Sequence, residues 1–190
     1  CSSTNPQKVT VTSGGTTSVS FYNKLNTGAI SLTKTTEDGK NLASWQFGIY
    51  SNSACTTLVS GPHSTNSSGK ISVTGLTPGT YYVKELGNTD SSINALYYCS
   101  STNPQAVTVT AGGTAAVSFT NKLNTGSVKL VKVTNTGANL SGWHIGLYTD
   151  SSCTSAVSGS PYTTGADGTV TVTGLISGTY YAKELPTDDP

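Results

Sequence analysis

The chain is predicted to be all-β, a tandem of two-layer sandwiches with about seven short strands each, and three observations carry that prediction. Thr, Ser, Gly, Val and Tyr are abundant while methionine and arginine are absent, a composition that suits strands joined by turns and leaves almost no helical periodicity. Short runs alternate apolar and polar side chains between turn-forming clusters. The sequence also repeats. Cys1-Ser2-Ser3-Thr4-Asn5-Pro6-Gln7 returns as Cys99-Ser100-Ser101-Thr102-Asn103-Pro104-Gln105, an offset of 99 − 1 = 98 residues, and Asn23 to Gly28 returns at Asn121 to Gly126. Trp45 and Trp143, and Cys55 and Cys153, keep that offset; Gly75 and Gly174, and Glu85 and Glu184, differ by 99, which one extra residue near Ser160 explains. A unit of this length is a small domain rather than a solenoid repeat of about 20 to 50 residues.

Within the complete copy the elements follow in order. Ile30–Thr35 alternates and stops at Glu37-Asp38-Gly39; Gln46–Tyr50 follows the first tryptophan. Lys70–Val73 starts after Ser68-Gly69, and Thr80–Glu85 after Thr77-Pro78-Gly79, where proline fixes φ and glycine frees it for a reversal. Ala95–Cys99 comes next, then Ala106–Thr110 and Thr114–Asn121, divided by Ala111-Gly112-Gly113. Asn124-Thr125-Gly126 reads as a short link. Residues 28–125 are therefore expected to form a complete sandwich, 126–190 an incomplete one lacking its last strands, and 1–27 the terminal strands of a split unit. The two fragments are complementary. Neither is expected to fold well alone, because each exposes strand edges and half a core.

Composition narrows the function. Only 10% of the 190 residues are charged, the net charge is +1 and the ten basic residues are scattered lysines, so no patch points to nucleic acid or an anionic membrane. No apolar run reaches the roughly 18 residues of a spanning helix. The four cysteines suggest disulfides and an oxidising, extracellular setting, with buried free thiols as the alternative. His63 and His144 are far apart and match different residues in the other copy, which argues against a metal, and no phosphate-binding, dinucleotide, zinc-protease or nucleophile-elbow motif occurs, so no cofactor is expected. Trp45, Trp143 and the paired tyrosines suit a core better than a sugar-binding surface.

Against this bland background three polar residues stand on faces that should point inward. Side chains two apart share a strand face, so Lys34 lies with Ile30 and Leu32, Glu85 with Tyr81 and Val83, and Asn121 with Val117 and Phe119. The pattern recurs as Lys132, Glu184 and Asn23. An isolated buried ammonium or carboxylate costs several kcal/mol, so such groups stay inside only if paired, neutralised or consumed by chemistry.

The lysine-bearing Ser31-Leu32-Thr33-Lys34, the run Leu42 to Tyr50, the run Leu76 to Glu85 and the closing Phe119-Thr120-Asn121 resemble the B-type (CnaB-like) domains of collagen adhesins, the prealbumin-like, Ig-like repeats of Gram-positive surface stalks and pilins. The resemblance covers essentially the whole chain. It implies an intramolecular isopeptide bond in which Lys34 attacks the side-chain amide of Asn121 with Glu85 assisting, and a second set made of Lys132, Glu184 and an asparagine equivalent to Asn23. The bond forms once, without turnover, so the chain is not expected to be an enzyme. Physical reasoning agrees: an apolar surrounding lowers a lysine pKa and raises that of a carboxyl, and the acid can then polarise the amide and move protons as ammonia leaves. A buried Lys–Glu ion pair with asparagine as hydrogen-bond partner, or a lysine head that snorkels to the sheet edge, is the alternative. Cys55 and Cys99 lie in one complete unit and are paired on that ground, and by repeat symmetry Cys153 with a Cys1 equivalent.

The family's cysteines are not general, and both ends of the chain cut across a domain. A self-crosslinked repeat of an extracellular, cell-surface or cell-wall-attached fibre is the expected function, with an adhesive module binding a ligand through its loops as the alternative. The expected partners are further copies, residues 1–27 of one completing 126–190 of the next, as in strand complementation. Fold-back within one chain, or a window on a longer repetitive protein, would account for the split equally.

Overall fold

The computed structural model describes residues 3–186, and the chain divides into two compact units, Cys1–Ser91 with Cys99–Asn121, and Ser92–Tyr98 with Lys122–Pro190. The first contains two four-stranded sheets. One has the order β4-β1-β8-β6, formed by Lys70–Leu76, Gly28–Thr36, Thr114–Leu123 and Tyr97–Cys99. The other has the order β3-β2-β5-β7, formed by Leu58–Ser64, Trp45–Tyr50, Gly79–Asn88 and Gln105–Val109. Alternate side chains from both sheets fill the core: Ile30 and Leu32 from β1, Phe47 and Ile49 from β2, Val83 from β5, and Val117 and Phe119 from β8 are nearly or fully buried. The Phe47 and Phe119 rings meet at 5.1 Å and 55°, an edge-tilted contact between the layers.

Two pairings set the functional geometry. β1 runs parallel to β8 with Lys34 beside Phe119 and Thr36 beside Asn121. β5 lies between β2 and β7, with Glu85 opposite Phe47 and Tyr81 opposite Val107. The two strands β7 and β8 thus enter different sheets from one hairpin, whose tip is tied by a Gly113 N–H donating to Thr110 O at 3.0 Å.

Two elements differ from the sequence reading. Ser91–Leu96 forms a short helix, α1, so only Tyr97–Cys99 of the expected Ala95–Cys99 strand is extended. β3 was not foreseen: it is a largely exposed edge strand carrying Gly61-Pro62, and it has neither apolar alternation nor a proline-free run to announce it.

The second unit repeats the plan with fewer strands. Thr125–Val131 (β9) pairs only with Thr169–Ile176 (β12), and His144–Tyr148 (β10) lies between Tyr162–Thr163 (β11) and Tyr181–Glu184 (β13). Leu130, Ile145, Leu147, Val172 and Leu175 form its core. β9 corresponds to β1 and β13 to β5, yet among the described residues each has a neighbour on one edge only, where β1 and β5 have two.

Residues 3–27 contain no strand. They nevertheless bend like the 101–120 hairpin. Gln7 Nε2 donates to Ser20 O at 2.7 Å and Tyr22 N–H to Ser3 Oγ at 2.7 Å, matching Gln105 to Ser118 at 2.7 Å and Thr120 to Ser101 at 2.8 Å. The tip bond of Gly15 N–H to Thr12 O, at 3.0 Å, matches Gly113 to Thr110. The arms are built to join two different sheets, and without those sheets no ladder forms. Their apolar side chains are open accordingly: Phe21 is 57% exposed where Phe119 is 0%, and Val11 75% where Val109 is 1%.

Candidate functional site

Three strands converge on one polar cluster in the first unit. β1 delivers Lys34 on the face of Ile30 and Leu32, β8 delivers Asn121 on the face of Val117 and Phe119, and β5 in the facing sheet delivers Glu85. All three are buried, as the strand parity required. Glu85 touches both others. Its Oε1 accepts a hydrogen bond from Asn121 Nδ2 at 2.7 Å, and its Oε2 lies 3.1 Å from Lys34 Nζ. The amine is within ion-pair distance but lies off the direction a hydrogen bond needs, so Lys34 Nζ, Glu85 Oε2 and Asn121 Oδ1 all stay without a hydrogen-bond partner.

Desolvation dominates the electrostatics of the lysine. Burial pulls the Lys34 pKa below its ordinary 10.5, with the charge and hydrogen-bonding capacity of Glu85 opposing that fall. A lowered pKa raises the fraction of neutral amine, the nucleophilic form. Trp45 lies under the same nitrogen, 4.5 Å from its ring centroid, and is held by its own Nε1–H donating to Asn41 O at 2.6 Å. Thr65 Oγ1 pins the tryptophan backbone, accepting from Trp45 N at 3.0 Å.

Asn103 is a positioning residue that the sequence reading noticed only as part of the repeat. Its side chain clasps the backbone of Glu85 from both sides, Oδ1 accepting from Glu85 N at 3.0 Å and Nδ2 donating to Glu85 O at 3.1 Å. Its recurrence as Asn5 in the repeated Ser-Ser-Thr-Asn-Pro-Gln was the available signal. Cys99 lies at the same end, where burial and then the Glu85 charge push its thiol pKa up.

The expected Cys55–Cys99 disulfide is not formed: both are free thiols, as is Cys153. Cys55 sits in the connection beyond Tyr50, which pairs with Tyr82, whereas Cys99 neighbours Glu85. Cys1 lies outside the described residues. His63 and His144 have separate local partners, Ser60 Oγ at 2.9 Å and Thr163 Oγ1 at 3.0 Å.

The second set is only partly assembled. Lys132 Nζ donates to both Glu184 oxygens at 3.0 Å and lies 3.7 Å from the Trp143 ring centroid. The inward placement expected for this trio is not reached: the Lys132 and Glu184 side chains are 15% and 49% exposed, against 0% and 4% for Lys34 and Glu85, and Asn23 is exposed. The strands that shield the first set have no counterpart beside β9 and β13 among the described residues.

The first unit is a two-layer β-sandwich in which a lysine, a carboxylate and an asparagine converge from three strands. The model of the SpaA prealbumin-like fold domain matches residues 28–123 and 126–189, and the chain belongs to that family. No curated protein matches it. Among solved structures, the Bacillus anthracis TIE protein superposes with a TM-score of 0.63 at 23% identity, over 84% of this chain and 28% of that one. A streptococcal ancillary pilin gives 0.44 at 24% identity over 86% of this chain and 55% of its own. The shaft pilin SpaA of Lactobacillus rhamnosus GG gives 0.41 at 17% over 86% and 89%. The chain thus spans about a quarter of the first of these proteins and about half of the second.

Proposed function

We propose that this chain is a self-crosslinking structural module of an extracellular, cell-surface or cell-wall-attached fibre, in which Lys34 Nζ bonds to Asn121 Cγ and ammonia leaves. Further copies of such modules are its partners in the fibre. The observation that carries the reading is the double contact of Glu85, at 2.7 Å to the Asn121 amide and 3.1 Å to the Lys34 amine, inside a closed core. Glu85 takes the proton given up by the attacking amine and delivers it to the departing NH2 group. Folding supplies the proximity. Membership of the SpaA prealbumin-like family supports a structural rather than a catalytic role.

Intact mass tests this. The wild-type chain is expected to weigh about 17 Da less than its sequence, by the stoichiometry of amide exchange, and a protease digest is expected to yield a branched peptide joining Lys34 to Asn121. Lys34→Arg, Asn121→Ala and Glu85→Ala should each restore the full mass. A wild-type chain of full mass, with both side chains unmodified, would sink the reading.

A further inference from the structure

The clasp on Glu85 has a counterpart on the asparagine strand, and one short segment makes both. β7 pairs with β5 up to Gln105 opposite Val83, and two residues further along that register Asn103 falls opposite Glu85. In a continued antiparallel ladder the backbone of residue 103 would bond the backbone of Glu85. Instead the strand ends at Gln105 and the Asn103 carboxamide, which carries the same acceptor and donor as a peptide group, takes over that pairing. The backbone around Asn103 is thereby free to leave the sheet.

Its other end grips the facing sheet. Ser101 Oγ accepts from Thr120 N–H at 2.8 Å, and Ser100 donates to Thr120 O from both its N–H and its hydroxyl, each at 2.9 Å. Thr120 precedes Asn121 on β8, so the residue beside the amide is held on both backbone groups, as Glu85 is. Gln105 adds a further tie, its Nε2 donating to Ser118 O at 2.7 Å. Residues 100–105 are thus a strut between the two sheets, fixed at one end to the strand of the acid and at the other to the strand of the amide. Asn103 is exposed and Ser101 half-buried, so neither is there to fill the core.

We propose that Asn103 and Ser101 are positioning residues for the Lys34–Asn121 crosslink: they lock the register of one sheet against the other, keep Glu85 on the Asn121 amide, and so set the rate of bond formation. This rests on the crosslinking chemistry proposed above. Lys34 and Asn121 need no such device, because β1 and β8 are neighbours in one sheet with Thr36 beside Asn121. Glu85 comes from the other sheet, and its 2.7 Å contact with Asn121 Nδ2 crosses between the layers. Apolar packing between layers is non-directional and tolerates small slips. A reacting geometry does not: a misplacement of about 1 Å can cost about 100-fold in rate. The strut joins the pair of strands whose alignment the sheets alone leave to packing.

The test follows bond formation in time. The full chain is made by cell-free synthesis, samples are quenched in acid at intervals, and intact mass gives the fraction that has lost about 17 Da. Asn103→Ala and Ser101→Ala are each expected to lose ammonia about 10- to 100-fold more slowly than the wild type, with circular dichroism showing an unchanged fold. Ser101→Thr keeps the accepting oxygen and should run at the wild-type rate. Val73→Ala, which loosens the same core from β4 without touching the strut, should also run at the wild-type rate. Equal rates in the wild type, Asn103→Ala and Ser101→Ala would overturn the proposal, as would a Val73→Ala chain as slow as they are. If Asn103→Ala does not fold, the contrast between Ser101→Ala and Ser101→Thr decides the matter. A wild type that never loses the 17 Da would strike the underlying chemistry, whereas a crosslinking wild type matched by its strut variants strikes the positioning role alone.

Discussion

Lys34 would be among the most unfavourable residues in the molecule if it stayed a free ammonium: fully buried, it is misaligned with its only carboxylate. In Asn121→Ala, where no amide can form, that cost becomes measurable. The folded pKa of Lys34 lies below 10.5, so between the two values the unfolded chain binds more protons and stability rises with pH. Below the folded pKa both states carry the proton and the penalty is present in full. Chemical denaturation of Asn121→Ala should therefore show stability climbing toward pH 10.5, relative to a Lys34→Met, Asn121→Ala control. A pH-independent difference would show that Lys34 is not desolvated. Strand parity made Lys34, Glu85 and Asn121 legible because inward placement depends only on counting by two. Asn103 was not legible in the same way: it acts on the backbone of a distant strand, and no local pattern encodes that pairing.

Among the elements, the hairpin made by β7 and β8 contributes to both layers of the first core at once, supplying Val109 to one sheet and Val117 and Phe119 to the other. Phe119→Ala is expected to cost about 3–5 kcal/mol, measured by denaturant titration of an uncrosslinked background. Gly28 marks the close approach of the hairpin tip, so Gly28→Ala should destabilise the first unit, whereas Gly126→Ala should leave the melting of the second unchanged. The β1, β2, β4 and β5 strands could be read from alternation and glycine-bearing turns. β3 could not, since an exposed edge strand gains little from apolar side chains, and α1 is too short to show a period.

At the scale of the whole molecule, the 98-residue repeat exposed both the module and its phase, and the chemistry of one copy could be transferred to the other. What the repeat could not show is how differently two nearly identical triads behave when one lacks its covering strands: a side-chain exposure of 0% for Lys34 against 15% for Lys132 follows from edges, not from residues. The Lys34–Asn121 bond would close 121 − 34 = 87 residues into a loop. By the chain-entropy argument for crosslinks that is worth about 4–5 kcal/mol. Asn121→Ala should accordingly melt roughly 20 °C or more below the wild type in calorimetry, given the sensitivity of domains this size.

The parallel alignment of β1 with β8 has a mechanical corollary. A pull applied at residues 28 and 123 draws these neighbours past each other lengthwise, so their hydrogen bonds share the load in shear instead of opening one by one. With the amide in place the load crosses from strand to strand at residues 34 and 121, and the polypeptide between them never feels it. In single-molecule stretching the wild-type unit should therefore yield no unfolding step, while Asn121→Ala should release about 300 Å of hidden length.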